Sequence, residues 1–222
     1  MKKLSHYSLM ANLFDYPRDE YSKKLTEIQN FLDTHYNEAG EHVREFINYA
    51  LHAETLEMEE LYTRTYDVQA ITTLDLGYVL FGDDYKRGEI LSNLNREIVN
   101  AKIDSGGELA DHLPNVLRLL SKLENSELIE ELASEIIHPA LTIMISEFNP
   151  KRLDQKNKLY KKHYKTLIAT SNLHSLIFEK PLKALQHVLK EDFQFAEKII
   201  PTQSSDFLKS VDEELRIENE HS

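Results

Sequence analysis

Residues 72–114 read TTLDLGYVLFGDDYKRGEILSNLNREIVNAKIDSGGELADHLP. Five of the six glycines fall here: Gly77, Gly82, Gly88, Gly106 and Gly107. Glycine weakens helix interiors and permits backbone angles that other residues avoid. Elsewhere the chain is mostly uninterrupted helical pattern, so this stretch is where continuous helix gives way to turns. Its two ends carry distinctive chemistry: an aromatic turn at Tyr78, Phe81 and Gly82, and an acid–imidazole pair at Asp111 and His112. Ile71, Thr72, Thr73, Val79 and Phe81 have strand propensity. No other segment alternates as a partner strand would, so residues 71–81 are read as a turn and a short buried helix ended by Gly82. Asp83 or Asp84 then caps a helix running to about residue 102 on Leu91, Leu94, Ile98 and Ala101. Residues 103–109 are a loop, and a helix over 112–123 follows on Val116, Leu117, Leu119, Leu120 and Leu123.

Outward from that stretch, apolar residues recur at the i, i+3, i+4, i+7 spacing of one-sided helices. Before it, the pattern covers 5–16 (Leu9, Leu13, Tyr16), stopped by Pro17, then 19–36 (Tyr21, Leu25, Ile28, Phe31, Leu32). It continues around Val43, Phe46, Ile47, Ala50 and Leu51, and over 56–66. After it, residues 128–148 form one apolar stripe that Pro139 should kink, because proline removes a backbone bond and crowds the preceding turn. Asn149-Pro150 breaks it. A basic helix over 153–169 follows, with six lysines between Lys151 and Lys165. A last helical region spans about 173–200, divided near Pro181. The expected fold is a single all-α domain over 1–200 with about nine helices. It falls into unequal halves, about 1–102 and 112–200, around a glycine-containing hinge at 103–111. Residues 201–222 read as an acidic, flexible tail.

The chain has 222 residues, 41% hydrophobic and 29% charged, ordinary for a soluble globular protein. A net charge of −12 argues against a nucleic-acid surface and suits a basic peptide better. No cysteine occurs, which excludes disulfides, thiolate nucleophiles and cysteine metal sites. The first twenty residues lack the apolar core of a secretory signal, and no apolar run approaches the ~20 residues of a membrane helix. The expected location is cytoplasmic, without membrane insertion.

Gly77 to Gly82 has the glycine spacing of a phosphate loop, but Asp83-Asp84 follow where the cation should stand. The ten histidines show no ligand-like spacing, so they are read as solvent-facing, with no metal and no cofactor expected. Carboxylate runs such as Glu57-Glu59-Glu60 are read as solvated faces, and so is the cluster Lys156, Lys158, Lys161, Lys162 and Lys165. The Asp111-His112 pair has two readings. Asp111 can cap the helix that Pro114 opens, or the pair can contact a ligand. A cap explains Asp111 and leaves His112 unexplained, which favours the contact.

Several stretches resemble the chaperones that mature respiratory molybdoenzymes, of the TorD and NarJ type. Leu13-Phe14-Asp15-Tyr16-Pro17 is similar to the family's Leu-Phe-x-Tyr-Pro. Leu61-Tyr62 through Tyr66-Asp67 resembles its tyrosine-containing helix. Leu76 through Gly88 resembles the NarJ branch, closest to chaperones of the enzymes that include nitrate, selenate and chlorate reductases. Glu108-Leu109-Ala110-Asp111-His112-Leu113-Pro114 is similar to the signature Glu-x-x-Asp-His, with Leu109 and Ala110 where the family often carries proline. The resemblance covers roughly residues 9–148. It implies a non-enzymatic chaperone that binds the N-terminal leader or the apo-form of a molybdoenzyme catalytic subunit. The client is held while the molybdenum cofactor is inserted. The implied client-contact residues are Asp111, His112 and Pro114 with Tyr66, Tyr78 and Phe81. The aromatic groups receive apolar leader residues and Asp111 meets arginine. The competing readings are a helical interaction module of unrelated role and an enzyme using Asp111 and His112 as an acid–base pair.

Overall fold

The computed structural model describes residues 4–18, 20–163 and 176–195. Among them the chain is all-α. Helices α1 (His6–Met10), α2 (Tyr21–His35), α3 (Asn37–His52) and α4 (Thr55–Tyr66) precede the glycine-containing stretch. Within it lie α5 (Leu76–Phe81), α6 (Tyr85–Asn100) and the start of α7 (Leu113–Leu120). Then come α8 (Ser126–Glu131), α9 (His138–Ser146), α10 (Pro150–His163) and α11 (Glu179–Phe193). The tail 201–222 and residues 164–169 of the expected basic helix lie outside the described residues.

The apolar spacing places the core. Leu25, Ile28 and Leu32 of α2 meet Val43, Phe46 and Ile47 of α3, all buried. Helix α11 packs on α3 and α9, α1 on α7, and α5 on α9. One core therefore draws on residues from both sides of 103–111. Burying each large apolar side chain contributes about 1.5–3 kcal/mol.

The ambiguous segment 71–81 resolves into a turn and α5. Gly82 takes φ 59°, where a β-carbon is disfavoured, and its N–H donates to Tyr78 O. Asp84 caps α6, accepting from Lys86 N–H at 3.0 Å.

Two helix readings are refined and one reading is corrected. Residues 126–146, where Pro139 was expected to kink the helix, are not one simple α-helix. A π turn, Leu132–Ile137, precedes the proline, and His138 N–H donates to Ala133 O five residues back. The wider turn accommodates a ring that lacks its own N–H. Near Pro181, where the last helical region was expected to divide, α11 begins: Pro181 sits in its first turn, where an N–H has no partner anyway. Residues 173–175 and 196–200 of that expected region lie outside the described residues.

Nor is the lysine face uniformly solvated. Lys156 is only 2% exposed. Its Nζ lies 2.9 Å from Glu147 Oε2 and donates to Ile71 O, and Arg152 also pairs with Glu147. Tyr160 OH donates to Ala70 O at 3.0 Å. The two side chains fasten α10 to the segment between α4 and α5.

Candidate functional site

The segment after α1 closes with a short 3₁₀ turn, Ala11–Leu13, whose ending frees carbonyls that no helix continues to satisfy. Two tyrosines take them. Tyr21 OH donates to Leu13 O and Tyr62 OH to Phe14 O, each at 3.1 Å. This fixes Asp15 and Tyr16 beside α4 and α7. Arg118 Nη2 from α7 reaches Asp15 Oδ1 at 2.7 Å and Oδ2 at 2.6 Å. Tyr16 and Tyr62 meet edge to face at 5.2 Å, and the Arg18 guanidinium lies 5.4 Å from the Tyr16 ring centre.

The 103–109 loop forms the opposite rim. Gly106 and Gly107 have φ of 64° and 89°, the left-handed region. Asp104 Oδ1 accepts from Gly106 N–H at 3.0 Å. Buried Asn115 donates to Ser105 O at 3.3 Å and Leu109 O at 3.1 Å, which pins the loop to α7. Between these walls is a cleft of about 460 Å³, with Asp15, Tyr16, Tyr62, Glu108, His112 and Arg118 among its lining residues. Pro114 also lines it and stands in the first turn of α7. The N-terminal motif and the acid–imidazole signature, far apart in sequence, thus share one cavity.

His112 is the N-cap residue of α7 but makes no side-chain cap. Burial, assisted by the Arg118 charge and opposed by Asp15, lowers its pKa to about 4. The cleft therefore holds a neutral imidazole at physiological pH, able to donate from one nitrogen and accept at the other.

Asp111 is elsewhere. It is 0% exposed and donates nothing to, and accepts nothing from, the α7 N-terminus among the described residues. The reading of Asp111 as the cap of that helix is corrected: it caps α5. Its Oδ2 accepts Gly77 N–H at 3.1 Å and its carbonyl accepts Leu76 N–H at 3.0 Å. Leu113 N–H returns to Leu74 O at 2.8 Å, so Asp75 and His112 form an isolated antiparallel bridge. The approach requires Gly77, since a β-carbon there would lie 2.7 Å from Asp111 Oδ2.

Arg87 from α6 completes this clasp. Its Nε lies 3.5 Å from Asp111 Oδ2, its Nη2 3.3 Å from Asp75 Oδ2, and its guanidinium 5.0 Å from the Tyr78 ring centre. Burial raises the pKa of both carboxyls against the pull of Arg87, and the Asp75 value reaches about 6 with help from neighbouring Asp111. No hydrogen bond or ion pair joins the Asp111 and His112 side chains among the described residues.

The six expected contact residues thus divide. His112 and Pro114 line the cleft. Asp111 and Tyr78 belong to the clasp behind it, and Phe81 ends α5, half-buried. Tyr66 lies in the core, 5.1 Å from the Tyr62 ring and 5.4 Å from Phe178. Sequence reasoning did not single out Arg87 or Arg118, although Arg87 stands within the quoted Leu76–Gly88 motif. A second correction concerns His6, which is buried against Asp192 rather than solvent-facing.

No protein-family model matches this chain, and no curated protein sequence matches it. No helix among the described residues is long and apolar enough to cross a membrane.

Proposed function

We propose that the protein is a molybdoenzyme maturation chaperone. It binds the N-terminal leader or apo-form of a molybdoenzyme catalytic subunit and assists molybdenum cofactor insertion before export or assembly. It acts by binding rather than turnover, in the cytoplasm. The observation that carries this reading is the meeting of the Leu13–Pro17 and Glu108–Pro114 motifs at one cleft. The resemblance of both motifs to the chaperone family adds to it.

The client segment lies in the cleft as an extended or helical peptide. Tyr16 and Tyr62 offer aromatic surface to its apolar residues. Asp104 and Glu108, both exposed on the loop rim, meet its arginines. His112 supplies a neutral hydrogen-bonding group. Asp111, Tyr78 and Arg87 act indirectly, by holding His112 and the loop against α5.

Rim carboxylates are exposed, so their contribution is screened by salt. Calorimetric titration of a basic leader peptide should show affinity falling several-fold between about 50 and 500 mM salt. Affinity independent of salt would remove the carboxylates from the account. Affinity for a leader with its arginines replaced by glutamine that equals the parent would do the same.

A further inference from the structure

The cleft carries charge of opposite sign on its two walls. The loop wall presents the carboxylates of Asp104 and Glu108, both exposed. The facing wall, built from the segment after α1 and from α2, presents Arg18 and Lys24, with Arg118 of α7 beside it. Asp15 is an acidic member of that wall, and it is already engaged. Arg118 Nη2 lies 2.7 Å from its Oδ1 and 2.6 Å from its Oδ2, while Lys24 Nζ stands 4.0 Å from Oδ2. Two cations thus share one carboxylate, and the approach of Lys24 is too long for a hydrogen bond.

Arg18 is held differently. Its guanidinium lies over the Tyr16 ring, 5.4 Å from the centre, and Tyr16 meets Tyr62 edge to face. Contact with a ring face uses the charge of a guanidinium and leaves its N–H donors for a carboxylate. Arg18 is exposed and lines the cleft, so a bound segment can reach those donors. A uniformly basic segment would be attracted by one wall and repelled by the other. A segment carrying both signs is attracted by both.

Resting on the reading of the cleft as the client site, we propose that the segment it takes is dipolar. Its basic residues face Asp104 and Glu108, and an aspartate or glutamate faces Arg18 and Lys24. The N–H donors of Arg18 receive that carboxylate, and Lys24 adds a second cation. The arrangement also fixes which side of the segment faces the loop, because turning it over would set like charges together at both walls.

The probe is a labelled synthetic peptide of leucine and serine with two arginines, one for each loop carboxylate. In a companion series one glutamate is walked through every other position. Binding to the full chain is read by fluorescence anisotropy at pH 7 and about 50 mM salt. At least one glutamate position should tighten binding about three- to fivefold, the contribution of a partly exposed ion pair. Glutamine at that position should give no gain. Arg18→Gln should cancel the gain, and Arg18→Glu should reverse it, so that lysine at that position binds more tightly than glutamate. Arginine-dependent binding with no gain from glutamate at any position overturns the proposal and leaves the client reading standing. A gain that survives in both Arg18→Gln and Lys24→Gln also overturns it. Binding of no peptide in either series overturns the proposal together with the client reading.

Discussion

Glu147→Gln should be the most destabilising single change tested, costing about 3–5 kcal/mol. Glu147 is buried between two cations, Lys156 and Arg152. Neutralising it removes the carboxylate that opposes the burial penalty on the Lys156 charge. The reverse substitution is expected to behave differently. Burial outweighs the attraction of Glu147 and lowers the Lys156 pKa to about 8. A depressed lysine contributes stability that is fully present above its unfolded value, about 10.4, and is lost as pH falls through about 8. At neutral pH, then, the charged lysine is a net burden that the pair only partly offsets. Lys156→Met keeps the buried stem and leaves Glu147 with Arg152, so it should change stability by no more than about 1 kcal/mol. It should also remove the rise in stability between pH 8 and 10. Urea unfolding of both variants at pH 7 and 9.5 checks this. Equal losses in the two variants would show that the pair is as exposed as an ordinary surface bridge.

Asp111→Ala should cost about 2–4 kcal/mol, well above the ~1 kcal/mol of an exposed helix cap. The Gly77 N–H loses its acceptor inside the fold, and Arg87 loses its contact with a fully buried carboxylate, keeping Asp75, the more exposed Asp83 and the Tyr78 ring. Asp111→Asn retains an acceptor and should lose less. The pH dependence has a defined sign. A carboxyl whose folded pKa is raised contributes stability that is fully present below its unfolded value and is lost as pH rises through the folded one. Asparagine does not titrate, so its cost relative to wild type should be larger at pH 4 than at pH 7. Gly77→Ala should be destabilising in wild type, because its β-carbon would meet Asp111 Oδ2. The same substitution should be much milder in an Asp111→Ala background. A double-mutant cycle reads that coupling directly, and additive losses would dissolve the clasp.

Much of this fold was legible because its helices are amphipathic. The spacing of Leu25, Ile28 and Leu32, or of Val43, Phe46 and Ile47, states which face is buried without any knowledge of the partner. Gly82 and the Asp84 cap were equally local signals. What escaped is pairing across the chain. Lys156 sits in a basic run and reads as solvated, since Glu147 belongs to the preceding helix. Asp111 precedes a helix and reads as its cap or as a ligand contact, because nothing local says that Gly77, thirty-four residues earlier, offers an N–H. Asp15 with Arg118, and His6 with Asp192, are longer-range still. The π turn before Pro139 keeps the apolar stripe intact, so periodicity alone could not distinguish it from a kinked α-helix. Of the expected contact residues, Tyr66 shows the opposite limit. Its helical register marks a buried face, which is equally the mark of core packing.

The most direct test is a native co-purification using two baits, wild type and His112→Gln, with client recovery measured by mass spectrometry. His112 lines the cleft, makes no side-chain cap, and is held neutral, so glutamine should preserve the denaturation midpoint. Wild type should recover a molybdoenzyme catalytic subunit, and the variant about tenfold less of it, as expected for loss of one buried hydrogen bond to a client. Recovery of no such subunit by wild type, or equal recovery by both baits, would contradict the cleft as the client site.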